Sequence, residues 1–410
     1  MALPRRAQRL FGYWRAERRT LRQGLVALAL STLAGFVAGL TLQGISGTLS
    51  KLDGFLILIP AAVGMRGTIF GAIGARLGTT NAAGTFEISF RRGNVLYRNF
   101  QVAVLTTFSS SLWLGILAKL AAAISGQPSI SIWDLITISV VGGAVGSIFI
   151  LAITIALSVV SYRRGWDLDS VSTPMVTALG DMATLPTLFL ATFLLRVQWV
   201  SVIAAVVCLA AAVYATVRSY AVDDLVVRRI VLEMTAVILL TPILDIVSGV
   251  LQEGRLGELR AAPVLLVLIP PFVSQAGALG GIFSSRVSSK LQIGVVTPSG
   301  FPEVPALVDG SIVFGLGLVV FTMIGTIAVG LASLAAHVAQ PGLVVAGTVL
   351  AGLLSLPVTI GVSYYLAVAS YRFGLDPDNQ TVPIITSVMD LAGVAAVLFV
   401  MSVLGVLGHG

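Results

Sequence analysis

The sequence predicts an all-α integral membrane protein of about eleven transmembrane helices, arranged as two parallel five-helix repeats joined by one linking helix, with a pseudo-two-fold axis along the membrane normal. Three observations predict it. Hydrophobic residues make up 57% of the 410-residue chain and charged residues only 10%, with a mean hydropathy of +0.99, whereas soluble chains carry about 25% charged residues. Apolar runs of about 20 residues, the length that crosses a hydrocarbon core, recur from end to end, and no charged stretch is long enough for a soluble domain. The chain also matches itself at a nearly constant offset.

The first element is an arm over 1–23, "MALPRRAQRLFGYWRAERRTLRQ", whose seven arginines and lack of a small-residue cleavage site read as a retained cytoplasmic anchor. Spans follow near 24–45, 54–77, 101–125, 133–160, 173–195, 199–218, 227–250, 261–285, 309–337, 342–370 and 382–408. With the arm inside, nineteen basic residues fall on the inner side, from Arg5 to Arg372, against four outside: Lys51, Arg196, Arg255 and Arg260. That bias sets the N-terminus in the cytoplasm and the C-terminus outside the cell membrane, because basic residues near helix ends are retained on the cytoplasmic side. The formal charge of +7 is accounted for by these flanks and calls for the lipid bilayer as partner, not nucleic acid. Cys208 is the single cysteine, so no intrachain disulfide forms.

"LILIPAAVGMRGTIFGAIGARL" at 56–77 aligns with "LVLIPPFVSQAGALGGIFSSRV" at 266–287, pairing Pro60 with Pro270, Gly67 with Gly277, Gly71 with Gly281 and Arg76 with Arg286 at an offset of 210. "SYRRGWDLDSVSTPMVTALGD" at 161–181 aligns with "SYRFGLDPDNQTVPIITSVMD" at 370–390 at an offset of 209. The units are 24–198 and 227–410, with 199–226 as the linking helix and loop. Five spans per unit is odd, and the linking helix restores the same membrane sense to the second unit, which gives the parallel repeat geometry known in transporters. One chain thereby suffices for one central pathway.

Both copies carry Pro-x-[VI]-Thr-x-x-x-Asp: Pro174, Thr177, Asp181 and Pro383, Thr386, Asp390. An aspartate at the centre of a membrane helix costs roughly 2.5–3.5 kcal/mol and usually marks a pathway. Proline suits a first helical turn, so each fifth span is expected to begin near it, with the aspartate about 10 Å deeper at about 1.5 Å per residue. Threonine and aspartate four apart share a helix face. Two carboxylates at equal depth around one axis make a site for a divalent cation, because a shared cation compensates both. Oxygen ligands select hard ions such as Mg²⁺ or Ca²⁺, and His337 and His409 lie near the outer ends, away from this site.

The doubled motif, the "LIP" ahead of a Gly-rich helix and "MDLAG" at 389–393 resemble the membrane domain of the MgtE magnesium-transporter family, and the two-copy arrangement resembles its solute-carrier family 41 relatives, over nearly the whole chain. The resemblance implies two five-helix units around a central pore, with Asp181 and Asp390 binding a largely hydrated Mg²⁺ and no cofactor besides the transported ion. Gating by the family's cytosolic regulatory domains is not carried over, and Thr68 and Ala278 stand where the family has asparagine, so no role is transferred to them.

Further candidates line the expected pathway. Arg66, aligned with Ala276, either pairs with a helix carbonyl or sits near the aspartates, where it would lower cation affinity and favour an exchanger or low-affinity carrier. Asp245, aligned with Gly35, is expected nearer the outer face, as a packing or capping group or a vestibule ligand. Gly67 and Gly71, like Gly277 and Gly281, are small residues four apart that permit close helix approach beside the pore. Asp167, Asp169, Asp376 and Asp378 precede the fifth spans as solvated loop charges. A Na⁺- or H⁺-coupled exchanger is the alternative transport mode. An intramembrane aspartyl protease is the alternative of another class, since "ALGD" at 178–181 approaches its Gly-x-Gly-Asp motif, but Ala178 replaces the first glycine and "SVMD" at 387–390 has neither.

Overall fold

A computed structural model describes residues 18–82, 85–164, 168–196, 198–335, 338, 340–374 and 377–407. They form an all-α integral membrane protein, with no strand among the described residues. The long helices are α1 (Arg18–Gly44), α2 (Phe55–Ala82), α3 (Val95–Ser125), α4 (Ile132–Arg164), α5 (Leu168–Thr192), α6 (Gln198–Tyr220), α7 (Leu225–Glu253), α8 (Pro263–Gln292), α9 (Val304–Ala335), α10 (Pro341–Phe373) and α11 (Pro377–Val403). Among the described residues nine helices are long and apolar enough to cross a membrane. The described apolar stretches of α1 and α6 are Leu28–Gly44 and Val202–Arg218; other side chains of the spans read from the sequence at 24–45 and 199–218 lie outside the described residues.

The fifth helices differ from expectation in where they begin. α5 starts at Leu168 and α11 at Pro377, six residues ahead of Pro174 and Pro383 in each case. A proline inside a helix removes one amide donor and crowds the carbonyl four residues back. The preceding turns, "LDSVST" and "PDNQTV", are polar, and a freed carbonyl there can be met by water or side chains near the membrane surface. Two other starts are fixed by caps: Asn94 accepts from the Leu96 amide, and Asp224 accepts from the amides of Val226 and Val227 while Arg98 Nε donates to it at 2.7 Å.

The most enclosed spans are those of α2 and α8, 78% and 67% buried, against 39% for α4, whose Ile148 and Phe149 face outward. Both central helices pack in corresponding ways: α2 against α5 and α7, α8 against α11 and α1. Glycine makes the crossings close. A methyl at Gly39 of α1 would lie 2.9 Å from the carbonyl carbon of Val267 on α8, and one at Gly249 of α7 would lie 2.8 Å from the Ile57 Cα on α2. Gly39 and Gly249, like Ile57 and Val267, are 210 residues apart. Apolar lipid offers no hydrophobic drive between helices, so such small-residue contacts carry much of the association through packing.

The third and fourth helices of each half pack alike but fill their space differently. In the first half the Arg66 guanidinium, 2% exposed, points from α2 toward Ser111 on α3 and Gly143 on α4; Nη1 donates to the Ala62 carbonyl, and Nε has no acceptor. A methyl at Gly143 would fall 2.5 Å from Nη2. In the second half the corresponding residues are Ala276, Phe321 and Gly352, and the Phe321 ring, 4.6 Å from that of Phe272, packs against Gly352. A large side chain on the second helix beside a small one on the third is thus exchanged for the reverse, as near-constant packing density requires.

Two consequences are measurable by thermal unfolding of the purified protein. Gly39→Ala and Gly249→Ala should each destabilise by about 1–3 kcal/mol through overpacking, whereas Gly71→Ala, with nothing within 4 Å of the added methyl, should not. Arg66→Ala should lower stability, and adding Ser111→Phe should restore part of the loss, a coupling on the order of 0.5–3 kcal/mol.

Candidate functional site

Asp181 and Asp390 each lie thirteen residues beyond the start of their helices, α5 and α11. Each is 7% exposed, so each keeps a sliver of accessible surface inside an otherwise closed core. Their neighbours come from the opposite half. Ser274 Oγ on α8 donates to Asp181 Oδ2 at 2.9 Å, and Gly64 on α2 faces Asp390, where an added methyl would lie 3.5 Å from Oδ2. Ser274 and Gly64 hold the same repeat position, 210 residues apart. The two carboxylates are close enough to repel: the charged groups acting on Asp390 are Asp245 and Asp181, both acids.

Asp245 is where the structure adds most. The sequence set it nearer the outer face, but α7 packs against α11 so that its carboxylate faces Ser387 and Asp390. It is 0% exposed, and neither oxygen meets a donor at hydrogen-bonding geometry. A methyl at Gly64 would stand 2.8 Å from Asp245 Oδ2. The helix pair is clasped separately by Ser248 Oγ, which donates to the Asp390 carbonyl at 2.9 Å.

The remaining candidates fall around this centre or away from it. Thr386 on α11 packs against Gly277 on α8, where a methyl would come 3.3 Å from the threonine Cα, and its hydroxyl donates to the Val382 carbonyl. Pro383 is buried one turn earlier. Gly67 presents its backbone nitrogen 3.9 Å from a methyl placed at Gly180, beside Asp181. Arg66 is turned toward α3 and α4, as described above, and is not among the charges acting on Asp390. The side chains of Pro174, Thr177, Asp169 and Asp378 lie outside the described residues, as do Asp167, Asp376, His337, His409 and most of the arm 1–23.

Gly64, Ser274, Ser248 and Ser387 are the site residues that sequence reasoning missed. The signal for the first two was available: aligned at the repeat offset, Gly64 opposite Ser274 is a change of polarity inside a pair of matched membrane helices, as is Gly35 opposite Asp245 in another. Chemically the arrangement offers carboxylate and hydroxyl oxygen and no nitrogen or sulfur ligand, which suits a hard cation. Among the described residues no three acidic, histidine or cysteine side chains converge closely enough to enclose a metal ion.

Comparison with known proteins agrees with this geometry. The MgtE family model, described as a divalent cation transporter, matches residues 59–191 and 269–400, most of the chain, and each matched segment contains one of the paired aspartates. Solute carrier family 41 member 2 of Xenopus laevis is 22% identical over 448 aligned residues, covering 96% of this chain and 74% of that protein. Solute carrier family 41 member 3 of Rattus norvegicus is 25% identical over 179 residues, covering 42% of this chain and 38% of that protein's length. A crystal structure of a eukaryotic MATE transporter superposes over 93% of this chain and 96% of its own at 13% identity with a TM-score of 0.31, a value that carries no argument about fold. With two matched segments spanning well over half of its length, the chain belongs to the MgtE family of divalent cation transporters, which sets the protease reading aside.

Proposed function

We propose that the protein moves Mg²⁺ across the cell membrane along a path between α2, α5, α8 and α11, with Asp181 and Asp390 as its central ligands. The observation that carries this reading is the meeting, inside the core, of two acids from corresponding helices, each retaining a little accessible surface and, among the described residues, neither facing a cationic side chain. A carboxylate in hydrocarbon stays ionised only when another charge compensates it. A hydrated divalent ion compensates two at once. The recurring contacts, α2 with α7 and α8 with α1, support two repeats packed about a common axis, which we place along the membrane normal. The nineteen-to-four distribution of basic residues supports a cytoplasmic N-terminus and an external C-terminus. Both aspartates of a pathway come from one chain, which supports a monomer as the transporting unit.

The test is Mg²⁺ entry into liposomes containing the purified protein and an internal magnesium indicator. Asp181→Asn and Asp390→Asn are each expected to lower the flux by about tenfold or more, in line with losses seen on removing metal-binding groups, and the double variant to reduce it to that of empty liposomes. Undiminished flux through the double variant would overturn the assignment. Competition by Ca²⁺, Mn²⁺ and Co²⁺ in the same assay tests the ion: Mg²⁺ flux is expected to persist in equal external Ca²⁺, and its suppression there would assign the site to the larger ion.

A further inference from the structure

Asp245 lies outside both matched family segments and has no acidic counterpart, because Gly35 stands 210 residues earlier. Its surroundings are unequal in the same sense. Around Asp390 stand Asp245, Ser248, whose hydroxyl donates to the Asp390 backbone carbonyl, and Ser387, whose hydroxyl faces Asp245. The corresponding positions in the other half are Gly35, Ala38 and Ala178. Asp181 instead receives Ser274, the counterpart of Gly64. We infer that Asp245 and Asp390 together form the stronger half of the cation site, so that a divalent cation is held off the central axis beside α7 and α11, with Asp181 reaching it through water.

The inference rests on the cation pathway proposed above and is carried by separate observations. Asp245 is wholly buried, neither of its oxygens meets a donor at full hydrogen-bond geometry, and the groups it faces are the Ser387 hydroxyl and a second carboxyl, that of Asp390; a buried acid so placed is satisfied by a cation. Its side chain is not needed to hold α7 in place: Ser248 bonds α7 to α11, and Gly249 closes it on Ile57 of α2. The absence of a side chain at Gly64 leaves the room, since a methyl there would intrude between the two acids, 2.8 Å from Asp245 Oδ2 and 3.5 Å from Asp390 Oδ2. One oxygen of Asp181 is meanwhile occupied by Ser274, which weakens its claim on an ion. The three acids do not converge at direct ligation distance, so water completes the shell.

Mn²⁺, a paramagnetic divalent ion, is the probe: its binding to the purified full-length protein in detergent is read by electron paramagnetic resonance, with Mg²⁺ as competitor. Asp245→Asn is expected to weaken Mn²⁺ binding by about tenfold or more, as much as Asp390→Asn and more than Asp181→Asn. Wild-type affinity in Asp245→Asn would overturn the inference, because asparagine has the shape of the neutral acid and would show Asp245 to be a protonated packing group. Should Asp245→Asn fail to fold, Gly64→Ala is read instead; it crowds both acids and should also weaken binding, and unchanged affinity there overturns the inference too. Unchanged binding in Asp245→Asn with flux lost in the Asp181 and Asp390 variants sinks only the off-axis site. Full flux through the latter sinks the pathway itself.

Discussion

A carboxylate cannot be left ionised and alone in hydrocarbon, and the centre of this protein sets Asp181, Asp245 and Asp390 near one another. Every other feature of the core can be understood from that constraint. Helices α2 and α8 hold the most enclosed spans, and at one matched level each presents a residue that serves an acid: the hydroxyl of Ser274 or the bare backbone of Gly64. Among the described residues no arginine or lysine acts on Asp181 or Asp390. The buried guanidinium of Arg66 points the opposite way, into space that a phenyl ring fills in the second half. A protein that needed these acids only for packing would be more stable with apolar residues of similar volume in their place.

The way the helices cross supplies the geometry. Each half lends its first helix to the second helix of the other half, α1 to α8 and α7 to α2, through glycines that admit direct backbone contact. Those crossings bring α7 to α11, and therefore Asp245 to Asp390. In the first half the same exchange brings only Gly35 and its neighbours, so chain duplication has been followed by divergence at the point where charge matters most. Fusing two units into one chain permits such divergence, since identical subunits of a symmetric dimer would have to change together.

Much of this was legible in the sequence because it depended on patterns that repeat. The offset of 209–210 exposed the duplication, the apolar runs gave the helices, and the matched Pro-x-[VI]-Thr-x-x-x-Asp picked out Asp181 and Asp390. What escaped depended on neighbours from distant parts of the chain. Depth along α7 placed Asp245 toward one face, but helix crossing, which no local pattern encodes, set it beside Asp390. The fifth helices were expected to start at their prolines, a local rule that yields where polar turns continue past the membrane boundary. For Arg66 the sequence left a helix carbonyl and the aspartates both open; the carbonyl of Ala62 is the partner, and the room made by Ser111 and Gly143 is not visible in sequence.

The most direct measurement is an experimental structure of the protein with Mn²⁺, with the ion located by its anomalous scattering. Compensation of the buried acids by a divalent cation predicts a single strong peak between α5, α7 and α11, nearer Asp390 and Asp245 than Asp181. A core that stays free of the ion at saturating Mn²⁺, with peaks confined to the surface loops, would contradict it.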